Sequence, residues 1–179
     1  MARKKDGGAD DVTNFFAIQD IALWTSALTR EGDYSPERHD GKCSIQTFKS
    51  LDPEMMKVSV DDDEEDHYLL RVLVKFGIRS VYQQDESSEI EVLYSVEATF
   101  GLEYFVIKPP TKDMFSQFVQ YNCVHNAWPF WRQHVYETLR SASLPILPIP
   151  FFPGKKPVEK RKIKSSTPVR RSVEAESGD

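Results

Sequence analysis

The topology of this chain turns on Tyr68-Leu69-Leu70-Arg71-Val72-Leu73-Val74-Lys75-Phe76-Gly77-Ile78. Its even positions are all apolar, while its odd positions carry Arg71, Lys75 and, one step beyond, Arg79. A period of two built from β-branched and aromatic residues predicts a half-buried strand. The pattern returns between Glu89 and Phe100. There Ile90, Val92, Tyr94, Val96, Ala98 and Phe100 share one face, and Glu89, Glu91 and Glu97 fall on the other. The polar stretch 81–88 joins the two runs, which predicts an antiparallel hairpin centred near Gln84. That centre sets Arg71 opposite Glu97 and Arg79 opposite Glu89, each pair contributing roughly 0.2–1 kcal/mol. A register slipped by one residue would lose the pairs and turn the apolar face to water.

Two further strands are predicted upstream. Met56, Val58 and Val60 alternate with Lys57 and Ser59, and the acidic run Asp61–Asp66 follows as a turn. Phe16 and Ile18 alternate in one phase, Ile21 and Leu23 in the other, so a bulge is expected near Gln19-Asp20. Downstream the period changes. The stretch 111–121 reads as a helix capped by Thr111, with Asp113 in its first turn and Met114, Phe115, Phe118 and Tyr121 on one stripe. A second helix is expected from about Asn126, with Pro129 in its first turn and Trp131, Val135, Leu139 and Ala142 on its buried side. Leu144-Pro145-Ile146-Leu147-Pro148-Ile149-Pro150 must be extended. Strands followed by helices predict an α+β domain: a four-stranded antiparallel meander with two C-terminal helices on one face.

The ends differ from the middle. Residues 1–14 read as a flexible arm, 15–152 as the folded domain and 153–179 as a disordered basic tail. From Lys155 onward there are eight Lys/Arg against four Asp/Glu, a net of +4, so the other 154 residues carry −9 of the total −5. An acidic body is a poor partner for nucleic acid, whose phosphates need basic surface. No apolar run approaches the roughly 20 residues of a membrane span. The first eleven residues lack the apolar run of a secretory leader, and two cysteines make no disulfide framework; both point to the cytoplasm.

Candidates for chemistry are few. Neither GxGxxG nor GxxxxGK[ST] occurs. Cys123, His125 and His134 fall short of a zinc set, and the Asp61–Asp66 run lacks the ligand spacing and glycine of a calcium loop. A Cys123–His125 nucleophilic pair is possible only if the fold brings the two together, so no enzyme, metal or cofactor is expected. More informative is the crowding of Phe100, Tyr104, Phe105, Phe115, Phe118, Trp128, Phe130 and Trp131 into 32 residues. Two short helices cannot bury all of them, so some are expected in a groove or an interface between chains.

The segment Asn126-Ala127-Trp128-Pro129-Phe130-Trp131-Arg132-Gln133-His134-Val135, running on to Leu144–Ile149, resembles the SecB chaperone family. There an aromatic or aliphatic residue, Pro and an aromatic residue are closely followed by Arg and an acidic or amide residue, as at Pro129, Phe130, Arg132 and Gln133. Ile18-Gln19-Asp20-Ile21 fits the family's first strand, and the run ending at Phe105 fits the strand before its helices. The likeness covers roughly Phe15 to Phe152. It implies an ATP-independent holdase, assembled as a homotetramer (a dimer of dimers), that keeps precursor polypeptides unfolded and passes them to SecA. Client chains would lie in apolar grooves lined here by Leu51, Met55, Phe105, Trp128 and Trp131. Some members instead guard the antitoxin of a toxin–antitoxin system. This chain ends in a basic tail where the family usually has an acidic or polar one. The competing expectation from the residues alone is an adaptor with a single partner.

Overall fold

The structure, a computed structural model, describes residues 12–59, 66–150 and 152. The acidic turn, most of the N-terminal arm and the basic tail lie outside the described residues. A 3-10 turn (Val12–Phe15) leads into β1 (Phe16–Arg30), followed by the one-turn α1 (Pro36–His39), β2 (Cys43–Val58), β3 (His67–Tyr82) and β4 (Glu91–Val106). Then come α2 (Lys112–Gln117), a π segment (Phe118–Cys123) and α3 (Val124–Ser141). The strands form one antiparallel sheet under a helical layer, the predicted α+β arrangement.

Strand order is β1-β4-β3-β2, so only β2, β3 and β4 form a meander and β1 joins from the far side of β4. The connection from β1 to β2 explains this departure from the expected order. It crosses the end of the sheet and is stitched to the strands beneath it. Glu31 and Gly32 donate backbone N–H groups to Leu93 O at 3.0 and 3.1 Å. Arg38 pairs with Glu91 of β4 at 3.4 Å and lies over the Tyr82 ring of β3. His39, almost fully buried, packs edge-on to Tyr82 and accepts the Ser35 N–H on Nδ1 at 2.9 Å.

The bulge expected near Gln19 is present as a register shift between Ile18 and Asp20, and a second lies between Leu23 and Thr25. The hairpin forms in a different register. Arg71 stands opposite Glu103 and Arg79 opposite Ser95. Arg71 therefore donates to Glu103 at 2.7 and 2.9 Å, Lys75 reaches diagonally to Glu97 at 2.7 Å, and Arg79 donates to Gln46 at 2.8 Å. The displacement from the expected pairing is an even number of residues, so from Tyr94 to Phe100 the side chains keep their predicted faces. Nearer the turn a register shift between Ser80 and Val81 breaks the alternation, burying Leu93 and leaving Ile90 exposed.

The two expected helices are present but run together without a break. Thr111 caps the first as predicted, accepting the Met114 N–H at 3.3 Å. No Gly or Pro lies between 111 and 128 to stop the helix, and the π segment absorbs the misfit between the two apolar stripes. That extra residue per turn shifts the phase. Val119 and Cys123 are buried, whereas Tyr121, expected on the buried stripe, is 56% exposed. Pro129 consequently sits inside the helix rather than in a first turn, and the His125 carbonyl lacks its usual donor. Val124, Ala127, Trp131, Val135 and Leu139 face the sheet.

At its C-terminal end α3 closes in a Schellman motif. Ser143 adopts φ 55°, its N–H reaches Arg140 O at 3.1 Å and the Leu144 N–H reaches Leu139 O at 3.0 Å. The extended strap that follows buries Leu144 and Leu147 and exposes Ile146. That spacing of three suits polyproline II geometry better than strand alternation.

Candidate functional site: an apolar groove beside an edge strand

β3 and β2 turn alternate residues toward the helices. Phe76 of β3 is buried there under two tryptophans of α3: its ring stacks on Trp131 at 5.5 Å and meets Trp128 edge-on at 5.4 Å. Trp131 is itself buried, but Trp128 is only partly covered. The reason is geometric: α3 packs chiefly over β3 and β4, and it is the π segment ahead of it, not α3, that makes the main helical contact with β2. The result is a groove of about 280 Å³ floored by Phe76, Gly77 and Ile78. Its walls are Thr47, Phe48 and Lys49 of β2 on one side and Trp128, Trp131, Ile149 and Pro150 on the other. The strap is fixed at this wall by Trp128 Nε1, which donates to Pro150 O at 3.0 Å, and by Phe152, whose ring packs 5.6 Å from Trp128.

The five residues expected to line a groove are therefore only partly gathered. Trp128 and Trp131 lie in it. Leu51 follows Lys49 on the same face of β2 and packs half-buried against the core. Met55, four residues further, is 42% exposed on that face but beyond the lining residues. Phe105 is on the opposite face of the sheet, opposite Leu69 and Ala17 and near His67. Strand alternation sets that, because its neighbour Tyr104 is the residue that points into the core.

Sequence reasoning missed Thr47, Phe48, Lys49, Ile149 and Pro150. The 43–49 stretch carries only a faint alternation, because a strand exposed along one edge needs no strongly apolar face. Gly77 is a signal that could have been used. A Cβ there would come within 1.9 Å of the Phe48 ring, so the glycine exists to let Phe48 lie flat across β3 on the outer face. Gly101 does the same for Trp24 on β4.

The chemistry this arrangement offers is adsorption of apolar groups, with one ammonium, Lys49, at the rim and an indole N–H already satisfied. The cysteine–histidine pair is not assembled as a nucleophile. Cys123 is fully buried, and burial pushes its thiol up to about 12. The His125 ring turns instead to Phe152 at 5.7 Å. Among the described residues no three His, Cys, Asp or Glu side chains converge as metal ligands, and no helix is long and apolar enough to cross a membrane.

No family model and no curated protein matches this chain. Among solved structures it is similar to the Mycobacterium tuberculosis Rv1957 SecB-like chaperone in complex with a ChAD peptide from the Rv1956 HigA1 antitoxin. The TM-score is 0.54 at 14% identity, over 81% of this chain and 96% of that one. In architecture, then, the chain has the SecB-like fold.

Proposed function

We propose that this chain is an ATP-independent holdase that binds unfolded or nascent polypeptides in the groove between β2 and α3. The observation that carries this reading is the groove itself, an apolar channel with tryptophan on one wall and an edge strand on the other. Such a surface takes extended chains without demanding one sequence. No nucleotide is required, because binding the unfolded state shifts the folding equilibrium by mass action. Likeness in fold to a SecB-like chaperone supports the same reading. The acidic body keeps the loaded chaperone soluble.

Assembly as a homotetramer, work in the cytoplasm and delivery of export precursors to SecA belong to this proposal. Self-association is supported by β1, whose helix-side residues Ile18 and Leu23 are half exposed beyond the edge of the helical layer. A second reading, a dedicated guardian of an antitoxin, is favoured by the antitoxin peptide bound to the structural neighbour.

The test is dilution of a chemically denatured, aggregation-prone protein with and without this chain, followed by light scattering. Suppression at one tetramer per client is expected, and none at that ratio would overturn the proposal. A pulldown that returns many unrelated polypeptides supports the general holdase. One that returns a single antitoxin supports the second reading.

A further inference from the structure

The two edges of the sheet are built differently. Along β1 the ladder is interrupted twice, at Gln19 and at Trp24, by the bulges that shift its pairing with β4. Along β2 all sixteen residues pair with β3 in unbroken register, from Cys43 opposite Tyr82 to Val58 opposite His67. No described residue pairs with the other side of β2. Folded proteins guard such an edge with charge, proline or bulges, because its unpaired N–H and C=O groups recruit any passing strand. The second half of β2 is guarded in this way by Lys49, Asp52, Pro53, Glu54 and Lys57. The first half, Cys43-Ser44-Ile45-Gln46-Thr47-Phe48, has no charge, no proline and no bulge. Its end forms the rim of the groove.

We infer that this unguarded half-edge is the backbone dock for the client: an extended polypeptide adds to β2 as a fifth strand along Cys43–Phe48. This rests on the holdase reading and states how the groove takes hold of a chain. A strand has side chains alternating between faces. One set then drops into the groove against Trp128 and Ile149, and the other lies beside the Phe48 ring on the outer face. Hydrogen bonds to the main chain are the same for every sequence, so they supply affinity that does not depend on the client, while the groove selects apolar residues at alternate positions. The charges from Lys49 onward end the dock, so a bound segment is short.

The experiment uses the full chain and a fluorescein-labelled peptide, acetyl-Lys-Leu-Thr-Leu-Thr-Leu-Thr-Lys-amide. Two derivatives are compared, one N-methylated at every Leu and one at every Thr. In a strand the two sets of N–H groups point to opposite sides, so only one derivative loses its bonds to β2. Fluorescence anisotropy is expected to give at least about a tenfold loss of affinity for one derivative and little change for the other, since each lost bond also leaves an unmet partner. Hydrogen exchange should slow at 43–48 when the parent peptide binds.

Equal binding of both derivatives and the parent would overturn strand addition while leaving the groove as a side-chain site. A parent peptide that does not bind overturns the inference alone if the chain still suppresses aggregation, and the holdase reading as well if it does not. Amides at 43–48 that are protected without peptide, and lose protection on dilution, would assign the edge to a second copy of this chain and overturn the inference.

Discussion

Aromatic rings behave in opposite ways at the two ends of the helical layer. At the π-segment end, Phe118 stacks on Phe16 at 4.0 Å and meets Tyr104 edge-on at 4.9 Å, and all three are buried. The polar atom there is matched: the Tyr104 hydroxyl accepts Asn126 Nδ2 at 3.0 Å, and burial pushes that phenol well above its ordinary value. At the other end Phe76 is equally buried, but the Trp128 ring above it is only partly covered and faces a channel. Ring content does not separate a core from a binding surface. What separates them is whether another layer lies on top, and α3 leaves the β2 side of Phe76 open.

The largest effect should come from the sealed end. Phe118→Ala is expected to cost about 3–5 kcal/mol, as removal of a buried ring does, read from urea unfolding monitored by circular dichroism. A cost no larger than that of a surface substitution would show that this end is not sealed. The open end should separate stability from binding. Trp128→Ala is expected to lower stability by only about 1–2 kcal/mol, because the ring is half-covered, while weakening the reporter peptide about tenfold. Loss of stability matching that of Phe118→Ala would place Trp128 in the core and end the contrast.

Between the two ends lies His134, whose Nε2 is 2.8 Å from Ser26 Oγ on β1. Burial lowers its pKa below the ordinary 6.5, and the Glu137 carboxylate opposes that only in part. The unfolded chain therefore takes up a proton before the folded one as the pH drops. Stability from this group is complete above 6.5 and is lost as pH falls from there through the lowered folded value. The melting temperature should decline over that window, and His134→Gln should decline less. Parallel curves would remove His134 as the cause. The smallest effect is expected at Ser143, a non-glycine residue at φ 55° in the Schellman turn. Ser143→Gly should gain about 0.5–1 kcal/mol by relieving the left-handed backbone, measured by the same unfolding curves. A loss there would mean that the serine side chain contributes something the backbone argument omits.

The central hairpin was legible because β3 and β4 each have one face in the core. A buried face demands period two, and an even displacement of register leaves it intact, so Arg71 kept its face while exchanging Glu97 for Glu103. The edge strands were less legible. The two phases of β1 revealed its first bulge, but the second, at Trp24, left no break in an already weak pattern. In β2 only the alternation around Met56 and Val58 predicted a strand, and the rest of Cys43–Val58 left no clear period because residues exposed on both faces are under little apolar pressure. Of the residues the family likeness put in a groove, Trp128 and Trp131 line the channel beside Phe76. Phe105 was placed in the groove through the family likeness, whereas alternation from Phe100 already puts it on the face away from the helices.

Sequence alone determined the class of this protein. Period-two and helical patterns, prolines after the last helix and an excess of rings are local properties that burial imposes on neighbouring residues. The tertiary structure decided the order of the strands, the register of the hairpin and the position of the groove. Those depend on which edge the crossover reaches and on which strand the helix leaves uncovered, and contacts between residues far apart in the chain leave no periodic trace in it.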